Sequence, residues 1–382
     1  MLIERSIHAH IKAILSGEPR ILMLYGPRQS GKTTILKMLL AEHAEKAAYF
    51  NGDDLRVQEI FSQHNLDILT KAIGNHQLIV IDEAQRIANI GLTLKLIFDS
   101  LQVHIVASGS SSLELAGKVS EPLTGRTTTF FLYPLSLEEA AYGELETSYK
   151  VRLEESLRFG LYPRVVTLTA EEDRQSYLIE LINAYLYKDI LAFDSVRKPK
   201  KVVDLLTLLA LQIGSEVSIA ELSQHLALSK PIVEKYLDLL EKMFVIVNLR
   251  GFSRNLRKEV YKTSKYYFMD LGMRNSLIRN FNPLHLRNDA GVLFENFCVI
   301  ERQKVLSNRR HFANFYFWRT YDQKEIDLIE EREGTLFGYE FKWSEKRKIP
   351  RSTFREFQQA YPQSELRIII PDTIDRLLTD SP

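Results

Sequence analysis

The chain has 382 residues, 45% hydrophobic and 26% charged, with 50 Lys+Arg against 49 Asp+Glu. At roughly 100–200 residues per domain this is material for two or three domains, and the mixture excludes a disordered or collagen-like chain. A single cysteine, Cys298, excludes a disulfide scaffold and points to a reducing, cytoplasmic setting.

Residues 3–16 place Ile7, Ile11, Ile14 and Leu15 on one side of a helix. The apolar run from Ile21 turns at Gly26 and Pro27 and resumes as an apolar helix, a strand–glycine loop–helix order. Short apolar runs ending in polar residues recur at 47–54, 77–85 and 103–111, and 127–139 adds a strand and a helix start. Buried strands alternating with helices predict a parallel sheet covered on both faces. Residues 150–210 read as helical, Arg197–Lys201 marks a boundary, and from about 285 the order becomes helix, three strands, helix, strand. The longest weakly charged apolar stretch, Leu205–Gly214, is about half of what a bilayer requires. The charged N-terminal residues do not read as a signal peptide.

Gly26, Pro27, Arg28, Gln29, Ser30, Gly31, Lys32 and Thr33 fit GxxxxGK[ST], with Thr34 following. Glycines let the backbone wrap a polyphosphate with its N–H groups turned inward, and the next helix offers its positive end. Lys32 would reach the terminal phosphates and the Thr33 hydroxyl would bind Mg2+. Leu78–Ile81 is an apolar strand ending in Asp82 and Glu83. Asp82 would hold Mg2+ through water and Glu83 would orient and deprotonate the attacking water; the plain alternative is two helix-capping carboxylates. After the next strand, Ser110 is either a γ-phosphate sensor or the cap of a helix near Leu113. Arg126 is a candidate arginine finger or an ordinary exposed arginine. Asp53 and Asp54 read as caps.

Tyr25–Thr34, Ile79–Gln85, Ala107–Ser112, Leu123–Arg126, Tyr133–Glu139, Gly160–Val166 and Tyr185–Ile190 come in an order that resembles a large bacterial and archaeal group of AAA-type ATPases carrying a C-terminal domain of unknown function. Asp270–Leu277, Gly291–Glu301 and the stretch from Phe315 to Trp343 continue the resemblance to the end of the chain. It implies ATP binding and leaves the biological role open.

Residues 218–266 have the rhythm of a winged helix-turn-helix. Ile219, Leu222 and Leu226 lie on one face of a first helix; Ile232, Val233, Tyr236, Leu237 and Leu240 make the buried face of a second; two strands follow, with 251–265 as the wing. Residues 196–266 carry 13 Lys/Arg against 7 Asp/Glu, and Arg250, Arg254, Arg257, Lys258, Lys262 and Lys265 gather at the wing. Such a patch suits duplex phosphates, or else it is a solvated loop on a protein-binding module.

The last hundred residues resemble the restriction-endonuclease-like fold, whose signature is an acidic residue and then [DE]-x-K on the next strand. Asp327 and the Glu340–Phe341–Lys342 triplet match it. Residues two apart on a strand share a side, so Glu340 and Lys342 project together, and Glu295 on the preceding helix is a further candidate ligand. Two carboxylates hold Mg2+, and metal with lysine would activate water. Glu-x-Lys is also common on solvated strands, and the fold also serves as a non-cleaving scaffold.

The expected fold class is α/β: a P-loop NTPase parallel sheet, then a helical and winged-helix module, then a small restriction-endonuclease-like α/β domain, over 1–145, 146–270 and 271–382. The expected function is an Mg-dependent AAA-type ATPase that uses ATP to control DNA-associated modules, without membrane contact, and as a homo-oligomer if Arg126 acts in trans. The alternatives are a slowly hydrolysing ATP switch with a catalytically dead C-terminal domain, and an ATP-dependent DNA nuclease.

Overall fold

In the computed structural model, which describes residues 2–109, 123, 125–141, 148–184, 198–252, 263–320, 323–344 and 351–379, five short apolar runs form parallel strands β1 (Ile21–Tyr25), β2 (Ala47–Asn51), β3 (Leu78–Asp82), β4 (His104–Gly109) and β5 (Thr127–Phe131). Their order is β2-β3-β4-β1-β5. Alternate side chains leave opposite faces of each strand, so two cores form. Met23, Ile79, Ile81, Ile105 and Ala107 pack with Phe61, Leu69, Ile90, Leu94 and Ile97 on one face. Leu22, Leu24, Val80 and Val106 pack with Ile7, Ile11, Ile35, Leu36 and Leu39 on the other. Burial on both sides is why these strands read as unbroken apolar runs.

This sheet belongs to one of two compact units, residues 2–134 with 242–244; the other is residues 135–241 with 245–382. The second unit is built on a mixed seven-stranded sheet ordered β12-β11-β10-β9-β7-β8-β6. Its strands are β6 (Glu216–Val217), β7 (Ile246–Gly251), β8 (Ser264–Phe268), β9 (Asn314–Arg319), β10 (Glu325–Arg332), β11 (Thr335–Phe341) and β12 (Glu365–Ile369). The sequence suggests two modules meeting near residue 270. In the fold β7 pairs antiparallel with β8 and parallel with β9, Arg250 opposite Tyr316, so the strands flanking the wing extend the C-terminal sheet. An unpaired strand edge leaves backbone donors and acceptors unsatisfied, and this pairing satisfies them.

Helices Ile219–Leu226 and Lys230–Lys242 bury Leu222, Leu226, Val233, Tyr236, Leu237 and Leu240. Ile232, expected on the buried face, is 40% exposed; it lies one residue before Val233 and turns past the edge of the apolar stripe. The wing residues Arg254, Arg257, Lys258 and Lys262, together with 185–190, lie outside the described residues. Trp318 packs edge-on to Phe357, and Cys298 is buried. Among the described residues no helix is long and apolar enough to cross a membrane.

Asp289, ahead of helix Ala290–Asn308, accepts hydrogen bonds from Arg274 at 2.7 Å and from Arg287 at 2.8 Å. Burial works against its ionised form, but the hydrogen bonds of Arg287 and Arg274 outweigh it and lower its pKa from an ordinary 3.8 to about 2. A folded value below the unfolded one means that Asp289 stabilises the fold above about pH 4 and that this contribution is lost as pH falls through 2. Asp289→Asn is expected to lose on the order of 2 kcal/mol at neutral pH and to flatten the acid limb of thermal melts between about pH 4 and 2. An acid limb as steep as that of wild type contradicts this assignment.

Candidate nucleotide site and C-terminal carboxylate cluster

The loop from Gly26 to Gly31 leaves the C-terminal end of β1 and runs into helix Lys32–Glu42. A Cβ on Gly26 would lie 2.1 Å from the Leu132 carbonyl oxygen, and Gly31 sits at φ +101°, so both positions require glycine. Lys32 is buried and lies back along the loop, donating to the carbonyls of Gly26 and Pro27 at 2.8 Å each. Ser30 Oγ is buried without a hydrogen-bond partner. Arg28, Gln29 and Thr34 share this loop and the first helical turn.

Strand order explains what the loop faces. β4 lies between β1 and β3, so the ends of all three strands converge at one edge. There Thr33 Oγ1 donates to Asp82 Oδ2 at 2.7 Å, across 49 residues of sequence. The Ser108 hydroxyl, from β4, donates to Asp82 Oδ1, and the Glu83 N–H donates to the same oxygen at 3.1 Å. Tyr49 on β2 reaches Asp82 Oδ2 at 3.4 Å; burial and then the Asp82 charge push its phenol up to about 12. Glu83 is held at φ +49°, an uncommon conformation outside glycine, and its carboxylate accepts from Gln85 Nε2 at 2.5 Å.

In the other unit, Glu295, Asp327, Glu340 and Lys342 also come together. β10 and β11 run antiparallel with Leu328 opposite Tyr339, and the Phe341 N–H donates to Asp327 Oδ2 at 2.8 Å. Lys342 Nζ donates to Glu340 Oε1 at 2.5 Å, while Glu340 Oε2 is buried without a partner. Three further residues enter. Lys265 Nζ, from β8, donates to Glu295 Oε1 at 3.2 Å and also to Glu325 Oε1. The Tyr267 hydroxyl donates to Glu295 Oε1 at 2.6 Å. Burial, then Glu295 and Glu340, push Asp327 well above the carboxylate range. Burial raises Glu340 against the pull of Lys342. Burial opposes the charge on Lys265, but Glu295 and Glu325 outweigh it and its pKa is raised. The four expected residues thus meet with an ammonium, Lys265, standing among the carboxylates, and among the described residues no group of three or more His, Cys, Asp and Glu is placed to hold a metal ion.

Residues 18–141 match the family model described as an AAA domain. Residues 150–284 and 290–378 match two domains of unknown function, DUF8612 and DUF4143. The Walker-type ATPase of Pyrococcus abyssi shares the fold, with a TM-score of 0.52 and 18% identity over 72% of this chain and 96% of that one. The N-terminal unit has the P-loop NTPase fold, and the AAA family model matches most of it. An uncharacterized protein of Mycobacterium tuberculosis is 29% identical over 358 residues, covering 92% of this chain and 77% of that one. One of Methanocaldococcus jannaschii is 25% identical over 313 residues, covering 74% and 70%.

Within the AAA domain, Arg126 does not join the site. It precedes β5, its carbonyl accepts from the Ile21 N–H, and Ile21 begins β1. Arg126 therefore lies at the opposite edge of the sheet from the loop that leaves Tyr25. There it pairs with Asp99 at 2.9 Å. Ser110 lies outside the described residues. The AAA domain also uses residues that sequence reading passed over. Ser108 and Tyr49 contact Asp82, and Gln85 holds Glu83. Arg5, buried ahead of helix Ser6–Leu15, donates to the Ser30 carbonyl at 2.7 Å and to the Tyr133 carbonyl at 2.8 Å. A buried polar residue inside an apolar run, as at Ser108, is the signal that was available.

Proposed function

We propose that the chain is a magnesium-dependent ATPase whose nucleotide state controls a DNA-associated C-terminal unit. The Thr33–Asp82 hydrogen bond carries the reading: it joins the end of the glycine loop to the end of β3, where a hydroxyl and a carboxylate flank the place of the phosphates. The residues fit the group. Ser30 Oγ is a buried acceptor and donor without a partner, and the buried Lys32 ammonium donates to the neutral carbonyls of Gly26 and Pro27, bonds that an anion displaces readily. Thr33 and Asp82 would hold Mg2+, which when bound draws charge from the β- and γ-phosphate oxygens. Loop N–H groups orient the phosphates, Lys32 stabilises their charge, and Glu83 holds and deprotonates water. Arg5 braces the loop through the Ser30 carbonyl. Arg5→Ala is expected to weaken ATP affinity by about tenfold, the size of one charged hydrogen bond, with partial recovery in Arg5→Lys; calorimetry on both variants checks it.

The DNA part rests on the excess of basic residues over 196–266 and on the helix–helix–strand–strand order there. The exposed face of helix Lys230–Lys242 carries Lys230 and Lys235 alongside Glu234 and Asp238, so positive charge comes from its flanks. Arg126 meets a nucleotide only if a second copy of the chain presents one, which makes its finger role a proposal tied to a homo-oligomer. A second reading, a slowly hydrolysing switch, is favoured by the Gln85 amide that occupies the Glu83 carboxylate.

Phosphate release by the full chain, with and without duplex DNA over a salt series, tests the proposal. Duplex-stimulated turnover with salt-sensitive binding supports it. Binding of ATP with turnover near zero on every DNA favours the switch, and duplex affinity that does not change with salt removes DNA from the account.

A further inference from the structure

We propose that Lys265 is the resident cation of the C-terminal carboxylate cluster, and that the folded cluster is a closed ion cage that takes no divalent metal. The inference stands apart from the ATPase reading, because every residue it uses lies in the second unit.

Lys265 is 1% exposed. Its stem runs beside Phe317, with Nζ 5.5 Å from the ring centroid. Its ammonium donates to both Glu295 and Glu325. The other oxygen of Glu325 faces Arg319 Nε at 3.7 Å. Glu295 Oε1 also accepts from Tyr267, Asp327 accepts from the Phe341 N–H, and Glu340 accepts from Lys342. Each carboxylate thus has a donor supplied by the chain. A hard divalent ion wants about six oxygen ligands with lone pairs turned toward it. Here the lone pairs that have partners are turned toward two ammonium groups, the Tyr267 hydroxyl, the Arg319 guanidinium and one backbone N–H. Glu340 Oε2 is buried and without a partner, on a residue that is 6% exposed. One oxygen does not make a metal site, but it marks where an ion would enter if the ammonium were gone.

The origin of Lys265 matters. It lies on β8, outside the helix–three strands–helix–strand succession that carries the four residues of the nuclease-like pattern. β8 joins them because β7 bridges it to β9. The acidic pattern is therefore complete in sequence, while its occupant is delivered by the neighbouring segment. Removing the ammonium leaves buried carboxylates uncompensated, a state that either binds an external cation or loses stability.

Mn2+ binding to the nucleotide-free full chain, followed by electron paramagnetic resonance of the free ion, tests this. Wild type and Asp327→Asn are expected to leave equal free Mn2+. Lys265→Met is expected to bind one further Mn2+ per chain, lost again in Lys265→Met/Asp327→Asn, with thermal melts that rise with Mn2+ only in Lys265→Met. Should Lys265→Met fail to fold, Lys265→Met/Glu325→Gln, which removes one charge of each sign, replaces it with the same expectations. Asp327-dependent Mn2+ binding by wild type overturns the proposal whatever the variants do. A folded variant without Lys265 that gains no Mn2+ overturns it as well.

Discussion

In Lys32→Ala, ATP turnover falls by on the order of a thousandfold and ATP affinity by about ten- to a hundredfold. The two effects have one origin. Lys32 is buried beside the loop, with its ammonium within 2.8 Å of two loop carbonyls. Arg5, which also contacts the loop, donates to the carbonyls of Ser30 and Tyr133. Alanine removes the charge that faces the phosphates as negative charge builds on the leaving oxygen, and the backbone N–H groups that remain carry only partial charge. The fold should survive, because helix Lys32–Glu42 buries Ile35, Leu36 and Leu39 regardless and alanine favours helix. Phosphate release together with equilibrium binding checks both effects. Turnover equal to that of wild type places the chemistry elsewhere.

Glu83→Gln separates binding from chemistry. ATP affinity is expected to stay within about threefold of wild type, while turnover drops by roughly a hundred- to ten-thousandfold, the range lost with a general base. Glu83 is not among the groups that bridge loop and strand; Thr33, Ser108 and Tyr49 all converge on Asp82 instead. The glutamine amide keeps the shape and accepts no proton. Gln85 can still donate to the amide oxygen at position 83, so the left-handed turn at Glu83 keeps its support. Single-turnover and steady-state rates measured on the same preparation give the comparison. A variant that hydrolyses at the wild-type rate removes Glu83 from the chemistry; one that no longer binds ATP makes it a structural residue.

What the sequence disclosed follows the range of the physics involved. The phosphate loop is legible because its chemistry is local: eight consecutive residues carry the glycines, the lysine and the hydroxyl. Asp82 and Glu83 are legible because a fully buried strand must end where polar residues begin. Ser108 escaped because its meeting with Asp82 depends on β4 threading between β1 and β3, a long-range pairing that no spacing encodes. The edge on which Arg126 lies is fixed by the β1–β5 register, which sets Ile21 opposite Thr127. Lys265 reads as one more basic residue of a wing, and only the β7–β9 pairing carries it into an acidic cluster that includes Glu325, 60 residues downstream. Ile232 shows the opposite error, an apolar residue assigned inward by periodicity at the margin of a stripe.

Calorimetric titration of the purified full chain with ATP in the presence of Mg2+ tests the central claim most directly. Saturable binding at one site per chain, weakened in Lys32→Ala and dependent on Mg2+, is the predicted result. The absence of any heat of binding, or the same affinity in wild type and Lys32→Ala, contradicts it.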